Sequence, residues 1–190
     1  NLYRIQIELW IHQYRALLIK QDLDKGRDIN PDYLQTIGPM HISKVSNCAG
    51  GYNYISDDEL PKFIDLHYGT GLSSVKDMNG NLIQLGTETK AKYQISRKYT
   101  CSDYIAYQKN KHLYILGPEH LEYVTVEGIL EDPTKAGKCF DRDNTPYPIP
   151  ANMIPTIKDM IIKKEFNLLL TVPTDTTNNS TNDVNKDNGN

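Results

Sequence analysis

The sequence predicts an α+β protein in which a central antiparallel β-sandwich or barrel is flanked by an N-terminal and a C-terminal helix, with an extended C-terminal tail. Three patterns lead to this prediction. Apolar residues recur with helical spacing near both ends of the chain, and short runs of strand-forming residues alternate with polar turns in the middle. Residues 171–190 contain almost nothing that could be buried in a core.

The first helix is predicted over residues 2–24, within an N-terminal helical segment 1–38. Its apolar side chains occupy several sides, so the helix needs neighbours on more than one face. No capping residue precedes the pattern, and we expect the intact chain to continue before Asn1. Gly26 suits the end of the helix, and Pro31 suits the first turn of a short helix that Gly38-Pro39 closes.

The β-domain is predicted over residues 39–133. Asn79-Gly80 is its best hairpin turn, because both residues tolerate a positive φ angle. A second hairpin turns over residues 108–111, and in the last strand Val124 and Val126 share one face. The predicted strands cover residues 40–42, 52–55, 62–66, 82–85, 104–107, 113–116 and 121–130.

Three segments follow the β-domain. A Pro-rich linker is predicted over residues 134–151, because prolines favour extended backbone. A second helix is predicted over 152–170, with Pro155 in its first turn. The tail, residues 171–190, has Val184 as its only aliphatic residue after Pro173.

Composition excludes several classes of protein. The net charge of -3 lacks the basic excess of a dedicated duplex-DNA binder. No apolar run approaches the length of about 18 residues that a membrane-spanning helix needs. The three cysteines form no CxxC pair and are interpreted as buried free thiols in a reducing compartment. The 13 tyrosines suit half-buried strand surfaces and interfaces.

Candidate catalytic and metal-binding groups are weak. The run Asp57-Asp58-Glu59 is interpreted as a turn cap rather than a cation site. Asp141, Asp143 and Asn144 resemble the start of a calcium loop but lack its Gly and closing Glu. Asp132 has no carboxylate partner that the sequence brings close, and the five histidines lack zinc-binding spacing. We therefore predict no enzyme activity, no cofactor and no metal.

The positive signal in the sequence is assembly. A polar tail without a core of its own becomes ordered by docking on a partner chain, and a helix that is apolar on several faces needs partners too. Closed rings use heterologous contacts, which two dissimilar extensions would suit. An ordinary globular protein is the alternative. The predicted subunit-interface residues are Ile7, Trp10, Ile11, Tyr14, Leu18, Phe166, Leu169, Val172 and Val184.

Several phrases of the sequence carry a family resemblance. The run HQYRALLIKQDLDKGRDINPDYLQTIG, residues 12–38, resembles the N-terminal region of a structural protein of crAss-like bacteriophages, a head–tail adaptor or tail ring protein of short-tailed phages. Four later phrases are similar in the same order, at residues 60–66, 126–133, 147–150 and 173–179. The single Cys48 stands where a Cys-rich stretch is expected, which argues against a metal role.

The resemblance implies a structural subunit of a ring in the neck or tail of the virion. Such a ring, commonly a dodecamer, joins the portal protein to adjacent tail ring proteins and continues the DNA channel. DNA would pass without specific binding, no membrane would be involved, and assembly would occur in the cytoplasm of the host bacterium. The alternative function is a tail binding module, a receptor- or glycan-binding β-domain, for which exposed aromatic residues should cluster in one concave site.

Overall fold

A computed structural model gives the fold and describes residues 2–46, 52–67, 69–94, 96–97, 99, 103–118, 120–137 and 144–167. The predicted tail, residues 171–190, lies outside the described residues. So do the three cysteines, the aspartates at 141 and 143, and three of the predicted interface residues, Leu169, Val172 and Val184.

The described chain contains nine strands. Their bounds are β1 Gln35–Ser46, β2 Tyr52–Ser56, β3 Asp65–Leu66, β4 Gly69–Thr70, β5 Leu72–Asp77, β6 Leu82–Leu85, β7 Ile105–Lys109, β8 His112–Gly117 and β9 Tyr123–Gly128. Seven of them close a barrel in the order β1-β2-β8-β7-β6-β5-β9, while β3 and β4 pair with each other. Barrel neighbours are antiparallel except β6 and β7, which run parallel.

The predicted α+β fold with a central barrel between two terminal helices is confirmed. The alternation predicted for the last strand is also confirmed, since Val124 and Val126 are fully buried in the barrel while Tyr123 faces outward. The barrel interior is filled by apolar side chains from every barrel strand and from the loop that carries Leu60 and Phe63. One closed core therefore forms the body of the molecule.

Both predicted hairpin turns are present. Gly80 has a φ angle of +83°, and the carboxylate of Asp77 accepts backbone hydrogen bonds from Asn79 and Asn81, each at 2.8 Å. The second turn places Asn110 and Lys111 at φ angles of 50° and 64°. A positive φ at both central residues matches the right-handed twist of the flanking strands.

Two local predictions were wrong. The strand predicted over 62–66 is reduced to Asp65–Leu66, with a single bridge between Phe63 and Leu130. Gly38-Pro39 closes no helical turn but lies inside β1, where the pairing with β9 shifts register. A Cβ atom on Gly38 would stand 3.1 Å from the carbonyl oxygen of Val124, so close strand approach explains the glycine.

A short helix, α2 (Glu88–Gln94), was not predicted from the sequence. The Thr87 hydroxyl accepts a hydrogen bond from the Lys90 backbone N–H at its start, and Glu88 lies in its first turn. Its Ala91 packs on the outward faces of Ile105 and Leu116. This helix thus covers one side of the barrel.

The two terminal helices are close to their predicted bounds. α1 runs from Leu2 to Asp24, and Gly26 follows at a φ angle of +75°. At the other end, a 3-10 turn Ala151–Met153 leads into α3 (Ile154–Met160), which continues as a π-helical segment, Ile161–Phe166. A further 3-10 turn, Pro31–Tyr33, is capped by Asn30.

A second apolar cluster joins α1 to one end of the barrel. Ile19 of α1 is fully buried against Tyr33, Ile64, Ile129 and Met153. A third cluster joins α1 to α3 through Tyr14, Ile157 and Ile161. The helices therefore form a layer on the barrel end at which β1 begins and β9 ends.

Candidate assembly surface

The two terminal helices contact each other along one side. Trp10 and Phe166 meet edge to face, with ring centroids 5.8 Å apart. The Tyr14 hydroxyl donates a hydrogen bond of 2.6 Å to the Glu165 carboxylate, and this bond, together with burial and the carboxylate charge, raises the pKa of Tyr14. Side-chain contacts thus fix the last turns of the C-terminal helix against α1.

Arg15 is a fully buried side chain in the middle of α1. Its guanidinium donates to the carbonyl oxygens of Pro148 and Leu130, both at 2.7 Å, and to that of Tyr33 at 3.5 Å. Burial lowers the pKa of Arg15 to about 10, so the side chain stays charged at neutral pH. We call this set of bonds the Arg15 hub, because it joins α1 to three separate parts of the chain.

The linker is also held by Tyr147, which stacks on His12 with ring centroids 5.7 Å apart. The Tyr147 hydroxyl lies 2.8 Å from Nδ1 of His12, and Nε2 of His12 lies 3.7 Å from the Asp132 carboxylate. Burial raises the pKa of Tyr147. Burial alone would raise the pKa of Asp132, but hydrogen bonds from Thr134 outweigh it and lower that pKa.

The N-terminal turns of α1 extend beyond these contacts. Tyr3, Ile5 and Leu9 are 87%, 66% and 47% exposed, and Ile7 is also exposed. At 1.5 Å per residue, the turns from Leu2 to Leu9 measure about 12 Å. We call the four exposed apolar side chains of this helix end, Tyr3, Ile5, Ile7 and Leu9, the α1 knob.

An open groove of about 930 Å³ lies beside the start of β1. One wall is the start of β1, and others come from the loop at Pro61, the turn at Ala136 and the linker. The apolar residues that line it include Leu34, Pro39, Pro61, Ala136, Pro146 and Pro148. We call this feature the β1 groove.

The structure brings together five of the predicted interface residues. Trp10, Ile11, Tyr14 and Leu18 pack in the contact between α1 and α3, and Phe166 meets Trp10. Ile7 lies in the α1 knob, away from this contact. The role of all six at a boundary between subunits stays a prediction. Sequence reasoning assigned no role to Arg15, although a charged residue within an apolar helix is itself a signal.

Two members of the acidic run, Asp57 and Glu59, make side-chain contacts within the chain. The Asp57 carboxylate accepts hydrogen bonds from Ser43 and His41, which lower its pKa. Ser43 and His41 both bond to the Asp57 carboxylate. In a catalytic triad the serine hydroxyl would instead be hydrogen-bonded to the histidine. Glu59 pairs with Lys111 at 3.4 Å. Among the described residues, no group of three or more His, Cys, Asp and Glu side chains could hold a metal ion.

A binding module would collect its aromatic side chains in one concave site. The strongly exposed tyrosines of the described chain, Tyr3, Tyr93 and Tyr99, lie on α1, on α2 and in the loop after it. The described residues that line the β1 groove include no aromatic side chain. Within the described ranges, no helix has the length and apolar character required to cross a bilayer.

Comparison with known families decides the class of protein. A family model of crAss-like phages, described as phage tail ring protein 2, matches residues 1–184. The chain belongs to this family. No match was found among curated proteins.

Membership in the phage tail ring protein 2 family confirms the resemblance seen in the sequence. It makes the chain a bacteriophage structural protein, a virion component of the tail, and part of an oligomeric ring. The exposed apolar end of α1 is therefore considered below as a contact surface within such a ring.

Proposed function

We propose that the chain is the subunit of a closed ring in the neck or tail of a short-tailed phage, where it joins the portal protein to the tail and continues the DNA channel. Family membership over residues 1–184 is the observation that carries this proposal. The function is mechanical, with no catalytic step and no cofactor.

The closed barrel limits how such subunits can meet. The seven barrel strands close on one another, so no whole strand stands at an open edge of the barrel. This closure favours contacts between subunits through side-chain surfaces and terminal extensions. The α1 knob is one such surface, and we propose that the tail, residues 171–190, docks on neighbouring subunits as another.

The angle between one subunit and the next must be constant for a ring to close. The Arg15 hub supports this requirement, because it fixes α1 both to Leu130, just after the last barrel strand, and to Pro148 in the linker. The α1 knob is then presented in one direction. The division into segments 1–38, 39–133, 134–151, 152–170 and 171–190 fits a rigid body with two extensions, and is proposed on that basis.

The partners proposed are twelve copies of the chain in one ring, the portal protein and adjacent tail ring proteins. DNA passes along the channel without specific binding, and the net charge of -3 supports weak contact with phosphate. The ring is assembled in the cytoplasm of the host bacterium and retained in the virion.

A density map of the intact virion tests this proposal. We expect the seven-stranded barrel to fit a ring on the tail axis, directly between the portal and the next tail ring, with DNA density inside it. A barrel located in trimers on a peripheral tail appendage would overturn the proposal and support the binding module instead.

A further inference from the structure

The α1 knob has the character of an insertion element. Ile5 and Leu9 lie four residues apart and form one apolar stripe, and Tyr3 and Ile7 form a second. Arg4 and Glu8 pair with each other at 3.0 Å, so the charges between the stripes are balanced. The four exposed apolar side chains thus lie on two sides of the first two helical turns, and exposed apolar surface of this kind normally marks a contact with another protein.

The β1 groove has matching character. Its apolar walls include two prolines of the linker, and proline contributes no N–H donor that burial would leave unsatisfied. A volume of about 930 Å³ lies in the range of pockets that hold several apolar groups. The groove is also lined by Asp58, Glu59 and Lys135, and its two carboxylates would face Arg4 of an inserted helix.

The knob cannot enter the groove of its own subunit. α1 is one continuous helix from Leu2 to Asp24, and its middle is fixed by the Arg15 hub. The N-terminal turns therefore continue the axis of a helix whose middle is fixed, and bending them back would break helical hydrogen bonds. The knob is therefore available to the groove of another molecule.

A ring supplies that molecule. In a closed ring each subunit presents two different surfaces, one to the preceding copy and one to the next. The α1 knob is a convex apolar surface and the β1 groove a concave one, so a chain with both can repeat the same contact around the ring. We propose that the α1 knob of each subunit inserts into the β1 groove of the adjacent copy. This inference rests on the proposed ring.

Two variants separate the halves of this contact. Ile5→Asp/Leu9→Asp removes the knob while the groove is retained, and Thr36→Trp, at an exposed position of β1 in the groove wall, fills the groove while the knob is retained. Gln6→Asp/Gln13→Asp adds the same charge to the exposed polar side of α1, and Gln84→Trp adds the same bulk to an exposed position of β6. Circular dichroism and thermal unfolding establish that each variant is folded.

The masses of the full-length proteins in solution give the result. Each knob or groove variant alone should assemble at least tenfold more weakly than wild type, whereas the two controls should assemble normally. Mixing the knob variant with the groove variant leaves one intact contact per pair. The mixture should therefore form a 1:1 heterodimer of twice the subunit mass of 21.7 kDa and grow no further.

The other outcomes are distinct. A wild-type chain that remains a monomer overturns the proposed ring itself. A wild-type chain that assembles, with knob or groove variants that assemble equally well, overturns only this contact. Assembly lost in both variants without a heterodimer in the mixture also overturns it, because the two surfaces then meet other partners.

Discussion

Nη1 of Arg15 donates a hydrogen bond of 2.7 Å to the carbonyl oxygen of Leu130, two residues after the last barrel strand. This bond joins a helix near the start of the chain to the segment that follows the last barrel strand, 115 residues later. Because Arg15 is fully buried, its guanidinium, rather than bulk water, satisfies this carbonyl group.

Replacing Arg15 should destabilise the subunit strongly. Arg15→Met removes the donors to three carbonyl groups, and we expect the free energy of unfolding to fall by about 3 kcal/mol. Arg15→Lys keeps the charge but not the planar fork, so an intermediate loss is expected. Urea denaturation measures both. Arg4→Met, at an exposed ion pair on the same helix, is the control and should cost less than about 1 kcal/mol.

Alkaline pH should weaken the contact between α1 and the linker. Burial raises the pKa of Tyr147 above its ordinary value of 10.0, so the folded state retains a proton that the unfolded state loses. This contribution to stability is complete below pH 10.0 and decreases as the pH rises above that value. In Tyr147→Phe, the free energy of unfolding should fall less steeply with rising pH. The slopes of wild type and variant should differ by up to about 1.4 kcal/mol per pH unit.

Some alkaline dependence should remain in that variant, because Tyr14 and Tyr33 also have raised pKa values. Denaturant titrations between pH 9 and pH 11 make the comparison. Tyr3→Phe, at an exposed position, controls for the loss of one tyrosine hydroxyl. Identical slopes for wild type and Tyr147→Phe would contradict the burial argument.

Gly128, at the end of β9, should not tolerate replacement by a residue that has a side chain. A Cβ atom on Gly128 would stand 2.6 Å from the Phe63 ring and 2.7 Å from the carbonyl oxygen of Gly71. We expect Gly128→Ala to lower the free energy of unfolding by about 2 kcal/mol through overpacking. Gly137→Ala meets no atom within 4 Å and should change stability by less than about 0.5 kcal/mol.

Deleting residues 174–190 should separate folding from assembly. Val184 is the only aliphatic residue among them, so circular dichroism and the thermal midpoint should stay at wild-type values. Ring formation, measured by sedimentation velocity, should be defective because the proposed docking on neighbouring subunits is lost. A truncated chain that unfolds, or one that assembles normally, is incompatible with that role for the tail.

The sequence predicted those elements whose side chains repeat with one period. The long α1 pattern and the alternation around Val124 and Val126 are of this kind, and both agree with the structure. The short α2 could not be found in the same way. Only Ala91 and Gln94 of its seven residues are buried, so its position depends on packing against the barrel rather than on its own pattern.

The Arg15 hub was beyond sequence reasoning for a different reason. Its partners are backbone carbonyl groups, which every residue carries, and they lie 18, 115 and 133 residues away. No residue type marks such an acceptor. The β1 groove likewise arises from the bulge at Gly38-Pro39 and from three distant segments that the topology brings together.

The mass of the assembled full-length chain, measured by native mass spectrometry, tests the central claim most directly. The proposed ring requires one discrete species at twelve times the subunit mass of 21.7 kDa, stable on dilution because each subunit is held on two sides. A chain that stays at 21.7 kDa at every concentration, or one that forms open polymers without a defined end point, would contradict it.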